Sequence, residues 1–268
     1  MRKASLCIAA SALVATAAVA YAQSDTQAEI ERYREMLQDG NPAELTVMRG
    51  EEMWKTPRGP KNASLERCDM GKGPGVVKGA YAELPRYFAD TDQVMDAEAR
   101  LVHCQVTLQG FERAELVKKP FSGAGRATDN ESLIAYLVDQ SRGVPVAVPQ
   151  SHPKEIASYE RGKKMFFYRG GPYDFSCASC HGEDDKRIRL QDLPNLLKPE
   201  AAQKAFTTWP AYRVSQGALR TMQWRLNDCF RQQRFPELVF TSPASIDLIT
   251  FLGVNAKGGK MDSPAIKR

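Results

Sequence analysis

The sequence has little strand-like alternation of apolar and polar residues and little excess of charge of one sign. Its 37 basic residues exceed its 32 acidic residues by only five, a balance that gives no reason to expect a nucleic-acid-binding protein. The scarcity of alternation, with apolar residues recurring at helical spacing, predicts an all-α protein with long loops. With 43% hydrophobic and 26% charged residues, the composition is typical of a globular protein and not of a disordered chain.

An apolar run near the N-terminus begins at Leu6 and ends at Ala20. Arg2 and Lys3 precede it, and Ala20-Tyr21-Ala22 forms a small-x-small cleavage sequence at its end. These features predict a signal peptide over residues 1–22 and export to the periplasm. Because the run is shorter than the roughly 20 apolar residues that cross a bilayer, we expect no membrane span after cleavage.

Two halves of the chain resemble each other in order and spacing, which indicates a duplicated fold. Arg49-Gly50-Glu51-Glu52-Met53-Trp54 in the first half matches Arg161-Gly162-Lys163-Lys164-Met165-Phe166 in the second. Each segment is followed by a cysteine, and each half ends in an apolar helical pattern, at residues 133–137 and 248–252. The proline-containing stretch 143–153 is the predicted linker, which divides the mature chain into domains 23–145 and 146–268.

The second half contains Cys177-Ala178-Ser179-Cys180-His181, the C-x-x-C-H pattern of haem attachment. Two thiols three residues apart on one helical turn reach both vinyl groups, and the next residue places an imidazole beneath the iron. A zinc site would need a second ligand pair, and a thioredoxin-like pair would need a βαβ context that this sequence lacks. The pattern therefore predicts one covalently bound haem c, held by Cys177, Cys180 and His181.

The segment 193–196 follows at a distance from which a loop could fold back under the imidazole of His181. A backbone carbonyl in this segment could accept the free ring N–H and fix the tautomer of the histidine. A simple turn at the same place is the alternative.

The ligand on the other face of the iron decides between electron transfer and chemistry, and Met222 and Cys229 are the candidates. Met222 would give an ordinary electron-transfer cytochrome, but it could equally be a core methionine. Signal cleavage removes Cys7 and leaves five of the six cysteines, so a thiolate of Cys229 on iron would account for the odd number. Arg225 lies four residues before Cys229, and both side chains would project from one helix face.

Arginines are concentrated around Cys229, with Asp228 as the only acidic residue between them. Such an environment lowers the pKa of a thiol and attracts a dianion. For each arginine except Arg225, a solvated surface position is the preferred alternative. The five are Arg213, Arg220, Arg225, Arg231 and Arg234.

At these residues the chain resembles SoxA, the catalytic subunit of the SoxAX cytochromes of bacterial thiosulfate oxidation. The resemblance covers nearly the whole mature chain and rests on the haem motif, on Met222-Gln223-Trp224-Arg225-Leu226-Asn227-Asp228-Cys229, and on the duplicated layout. It implies an L-cysteine S-thiosulfotransferase with His181 and Cys229 as axial ligands, Cys229 carrying a persulfide or other modification, and Arg225 contacting the substrate. It also implies a SoxX-like cytochrome partner and a SoxYZ-like carrier protein, to whose cysteine thiosulfate is joined.

The chain departs from the dihaem members of this family in its first half. Cys68 is followed by Asp69-Met70-Gly71-Lys72, with neither a second cysteine nor a histidine. The resemblance then implies two tandem cytochrome c-like domains, the first lacking haem and held instead by a Cys68 to Cys104 disulfide. Such a bond contributes about 3 to 4 kcal/mol by loop closure.

Two other functions remain open from the sequence. One is an electron-transfer cytochrome with Met222 on the iron. The other is a thiosulfate dehydrogenase that couples two thiosulfates to tetrathionate, which also favours a sulfur-ligated haem.

Overall fold

The computed structural model describes residues 32, 33, 36, 40–118, 127–188 and 191–267. The chain divides into two units, Met1–Asn41 and Pro42–Arg268, and the account below concerns the second. The predicted signal peptide, residues 1–22, lies outside the described residues. Among those described, no helix is both long enough and apolar enough to cross a membrane.

Helices separated by long loops make up the larger part of the regular structure. Two short 3₁₀ helices, Tyr81–Glu83 and Val214–Gln216, and one π-helical segment, Gln105–Gln109, accompany them. In chain order the elements are α1 Ala43–Lys55, β1 Arg86–Phe88, β2 Gln93–Met95, α2 Ala97–Cys104, α3 Arg113–Lys118, α4 Asp129–Asp139, α5 Pro153–Phe167, α6 Cys177–His181, β3 Arg187–Ile188, β4 Gln191–Asp192, α7 Pro199–Thr207, β5 Ala211–Arg213, β6 Ala218–Arg220, α8 Met222–Gln232, α9 Pro243–Asn255 and β7 Ala265–Lys267.

The prediction of an all-α protein is wrong in one respect, because short strands are present. Strand β1 pairs with β2 and β3 with β4, while β5 lies between antiparallel β6 and parallel β7. Each strand is only two or three residues long, too short for apolar alternation to be visible in the sequence.

The two halves of the internal repeat form matching helix pairs. Helix α1 packs on α4, and α5 packs on α9. A Cβ at Gly50 would collide with the backbone oxygen of Ser132, and one at Gly162 would collide with that of Asp247. The two glycines are therefore required for the same reason, which is close approach of the paired helices.

The predicted linker is an ordered segment that contacts both halves. The Val146 N–H donates to Gly259 O at 2.8 Å, and the Ala147 N–H donates to Ala82 O at 2.8 Å. Buried residues from before and after this segment belong to one hydrophobic cluster that includes Leu101 and Ile249. The domain boundary at residues 145 and 146 stays a prediction.

The disulfide expected between Cys68 and Cys104 is present, with Cα atoms 5.6 Å apart. Both cysteines are buried. Cys104 is the last residue of α2, so the bond connects the end of this helix to the loop that follows α1.

Polar groups connect α2 in the first half to α8 in the second. The side-chain amide of Gln223 donates to Asp96 Oδ2 at 2.6 Å, and its backbone N–H donates to Glu98 Oε1 at 3.2 Å. The Thr241 N–H donates to Gln223 Oε1 at 2.7 Å. All of these side chains are buried, so the beginning of α8 is held by directional bonds as well as by apolar packing.

Candidate haem and substrate site

The C-x-x-C-H segment forms one short helix, α6, with a capping box at its beginning. The Ser176 side chain accepts from the Ser179 N–H at 3.1 Å, and the Ser176 N–H donates to Ser179 Oγ at 3.0 Å. Helical spacing brings the side chains of Cys177 and Cys180 to one face of the turn. Both sulfurs are free thiols and both residues are partly buried, as two thioether-forming cysteines require.

The imidazole of His181 is oriented by the loop that the sequence singled out. Its Nδ1–H donates to Pro194 O at 2.9 Å, and the Leu196 N–H donates back to His181 O at 2.8 Å. The predicted carbonyl within residues 193–196 is therefore confirmed. Burial lowers the pKa of His181, although the bond to Pro194 opposes this. A neutral ring protonated on Nδ1 leaves the Nε2 lone pair available to a metal.

Cys229 lies on α8, whose first turn is capped by Thr221. Its sulfur is a free, partly buried thiol and interacts electrostatically with Cys180, while Cys177 is similarly affected by Cys229. The fold thus brings Cys229 within electrostatic range of the cysteines of the C-x-x-C-H turn, although 48 positions separate it from His181 in the sequence. Burial raises the pKa of Cys229, and the charges of Arg225 and Arg213 oppose that rise.

Arg225 is oriented by Asp228, the one acidic residue that lies among these arginines in the sequence. The Arg225 Nη1–H donates to Asp228 Oδ2 at 3.3 Å, and the guanidinium lies 6.0 Å from the ring centroid of Trp209. Asp228 is buried and also accepts from Arg231 at 2.7 Å and from Gln232 at 2.7 Å. Three donors therefore share a single carboxylate.

The five arginines separate into distinct environments. Arg213 and Arg225 both interact electrostatically with Cys229. Arg220 instead pairs with Glu131 of the first half at 2.9 Å, and both side chains are buried, so the solvated surface position preferred for it is wrong. Arg231 is largely exposed, and Arg234 is exposed.

Met222 has a core position. It is buried in the main hydrophobic cluster at the first position of α8. Met222 and Cys229 are seven positions apart on this helix, about 10 Å along its axis. The observed contacts favour the reading of Met222 as a core residue.

The donor set fits a c-type haem. It provides two thiols on one helical turn, a neutral imidazole held by a carbonyl, and a further thiol near that turn. Aromatic side chains just before the motif, Tyr173 and Phe175, are 52% and 42% exposed, which leaves apolar surface next to the attachment cysteines.

Comparisons with known proteins identify relatives of this chain by sequence and by fold. The family model "SoxA/TsdA, cytochrome c domain" matches residues 49–146. The L-cysteine S-thiosulfotransferase subunit SoxA of Hydrogenophilus thermoluteolus is 54% identical over 89% of this chain and 87% of its own length. A protein of the same name from Hydrogenobacter thermophilus is 31% identical over 93% of this chain and 92% of its own.

The fold is also that of a solved structure, SoxXA from P. pantotrophus. That chain superimposes with a TM-score of 0.72 at 24% identity, covering 88% of this chain and 84% of the other. The predicted family and enzyme class are confirmed by the sequence relatives, and the cytochrome c assignment by the family model. The chain belongs to the SoxA family of L-cysteine S-thiosulfotransferase subunits.

Proposed function

We propose that this chain is the cytochrome subunit that joins thiosulfate oxidatively to a cysteine of a SoxYZ-like carrier protein. The observation that carries the proposal is the position of Cys229, which lies beside the C-x-x-C-H turn and interacts with two arginines, Arg213 and Arg225. A sulfur next to a haem and positive charge next to that sulfur are what an anionic sulfur substrate requires.

We further propose that one haem c is bound: Cys177 and Cys180 would attach it covalently, and His181 and Cys229 would be its iron ligands. The haem, when bound, accepts and relays electrons one at a time. The Pro194 carbonyl fixes the imidazole of His181 through its Nδ1–H. The same arrangement increases the basicity of the ring nitrogen that faces the iron.

In this proposal the first half, residues 23–145, is a cytochrome c-like domain without haem, in tandem with the haem domain 146–268. Two observations support this assignment. The cytochrome c family model matches residues 49–146, and Cys68 is engaged in a disulfide. The matching helix pairs around Gly50 and Gly162 support the duplication.

The reaction forms one sulfur–sulfur bond between the thiosulfate sulfur and the sulfur of the carrier cysteine. The carrier thiol gives up its proton, and two electrons leave the pair of sulfurs to yield a cysteine S-thiosulfonate. Arg225 binds the sulfonate end of the anion through charge-assisted hydrogen bonds, while Asp228 holds the guanidinium in place. Cys229 presents its sulfur, as a thiolate or persulfide, to the reacting atoms.

The number of electrons that the reaction releases indicates which partner proteins it needs. The reaction releases two electrons and one haem would supply a one-electron acceptor, so a SoxX-like cytochrome partner would receive the second electron. The SoxYZ-like carrier supplies the acceptor cysteine, and the predicted signal peptide indicates that these proteins meet in the periplasm.

The experiment combines the haem-loaded chain and its SoxX-like partner with the carrier, thiosulfate and an electron acceptor. Mass spectrometry of the carrier should show the addition of one thiosulfate per acceptor cysteine. Arg225→Gln should strongly reduce this product, while the matched change Arg231→Gln, at a largely exposed arginine on the same helix, should leave most of it.

Two outcomes would contradict the proposal. Tetrathionate formed at full rate without carrier would identify a thiosulfate dehydrogenase. An absorption spectrum unchanged by Cys229→Met but altered by Met222→Leu would identify an electron-transfer cytochrome ligated by Met222.

A further inference from the structure

Arg213 ends strand β5 and is placed by a rigid frame. Its backbone pairs with Ala218 on one side and Lys267 on the other. Strand β6 leads directly into α8, the helix of Arg225 and Cys229. Trp209, just before β5, has its ring 6.0 Å from the Arg225 guanidinium. The sheet therefore fixes Arg213 relative to the site without a flexible loop between them.

The guanidinium of Arg213 has an unused donor. Its Nε is buried and has no hydrogen-bond partner within the described part of the chain. Among the same residues, no carboxylate forms an ion pair with Arg213. An N–H group buried without a partner costs free energy that an incoming acceptor recovers. The neighbouring arginines differ: Arg220 is paired with Glu131, and Arg225 and Arg231 are paired with Asp228.

The positive charges around Arg213 favour the binding of an anion. Burial lowers the pKa of Arg213, and the charge of Arg225 lowers it further, so the two guanidinium groups repel each other within a half-buried site. Asp228 and Cys229 oppose that effect, but the Asp228 carboxylate already accepts bonds from three other side chains. A dianion between the arginines would relieve the repulsion.

We infer that Arg213 is a second substrate-binding residue, whose Nε–H and one Nη–H donate to two sulfonate oxygens of thiosulfate beside Cys229. The planar fork of arginine matches such a pair of oxygens, which a lysine ammonium does not reproduce. This inference deepens the proposed function and rests on it for the identity of the anion.

The test uses the haem-loaded complex with its SoxX-like partner and titrates thiosulfate by calorimetry without carrier. The dissociation constant should rise about 10- to 100-fold in Arg213→Gln, which corresponds to about 1.4 to 2.8 kcal/mol. Arg213→Lys keeps the charge but lacks the Nε–H, and should recover only part of the affinity. Arg234→Gln, at an exposed arginine of the same stretch, should bind as the unmodified protein does.

In the complete assay, Arg213→Gln should raise KM for thiosulfate much more than it lowers kcat, with an unchanged haem spectrum. An unaltered dissociation constant and KM would overturn the inference. If Arg213→Gln fails to take up haem, the dissociation constant of Arg213→Lys is the deciding measurement. An affinity in that variant equal to that of the unmodified protein would also overturn the inference. Binding that depends on Arg213 without conjugation of the carrier would leave the inference standing and refute the proposed function.

Discussion

Gln223→Leu should destabilise the protein substantially, although Gln223 is not one of the proposed haem-binding residues. Gln223 donates to Asp96 Oδ2 at 2.6 Å and accepts from the Thr241 N–H at 2.7 Å, and all three residues are buried. Leucine removes both bonds and leaves a buried acceptor and a buried donor without these partners, at about 1 to 3 kcal/mol each. The added apolar burial offsets about 1 kcal/mol, so we expect a loss of about 3 kcal/mol.

The measurement is urea denaturation of the haem-loaded protein, followed by far-ultraviolet circular dichroism. The midpoint should fall while the slope stays unchanged, because the surface exposed on unfolding is similar. Gln232→Leu is the matched control, since this exposed side chain of the same helix makes a hydrogen bond to Asp228 at 2.7 Å. It should cost less than about 1 kcal/mol.

A second substitution separates loss of hydrogen bonds from loss of packing. Gln223→Glu keeps the shape of the side chain but places a third carboxyl group beside Asp96 and Glu98, so it should destabilise the protein at neutral pH and do so less at acidic pH. If Gln223→Leu unfolds within about 0.5 kcal/mol of the unmodified protein, the bonds between α2 and α8 contribute nothing and the reasoning fails.

Three further predictions concern the same framework. Burial raises the pKa of Asp96 to about 6 and that of Glu98 to about 8. Groups with raised folded pKa values lose their contribution to stability as the pH rises, so the unfolding free energy should decrease from about pH 4 to about pH 8. Denaturation of Glu98→Gln should show a weaker decrease. Arg220→Met leaves the buried Glu131 carboxylate without its charge partner and should cost about 3 to 5 kcal/mol in the same denaturation assay, whereas a cost below about 1 kcal/mol would contradict the pairing. Gly50→Ala and Gly162→Ala should each lower the midpoint of thermal unfolding, because the collision with a backbone oxygen outweighs the roughly 1 kcal/mol gain in helix propensity. A higher midpoint in either variant would show that the paired helices can separate without cost.

The arrangement of the C-x-x-C-H residues on one helical turn could be predicted because it is local. Cys177, Cys180 and His181 lie on one turn of helix, so their spacing alone determines which side chains share a face. The carbonyl that orients His181 could also be predicted from the sequence, since Pro194 follows after only a short loop. The interpretation of Cys229 required more than spacing, and came from the odd number of cysteines and the family resemblance.

Charge density in the sequence could not show how the arginines are distributed. Arg220 and Arg225 are five residues apart, yet one pairs with Glu131 of the first half and the other with Asp228 on its own helix. The difference arises because Arg220 ends a strand and Arg225 lies on the following helix, so their side chains leave the backbone in unrelated directions. Short strands of this kind carry no periodic signal. The separate environment of Arg213, which lies on such a strand, therefore could not be predicted from the sequence.

The first half has a structural connection to the site that the sequence did not reveal. Cys104 ends α2 and is held by the disulfide to Cys68, while Asp96 caps the beginning of the same helix by accepting from the Ala99 N–H. Asp96 and Glu98 then bind Gln223, in the first turn of the helix that carries Arg225 and Cys229. Because these bonds are buried and directional, a displacement of α2 would be transmitted to α8. The first half, which lacks the C-x-x-C-H motif, therefore holds the beginning of the helix that carries Arg225 and Cys229, and the disulfide constrains the helix α2 that makes these bonds.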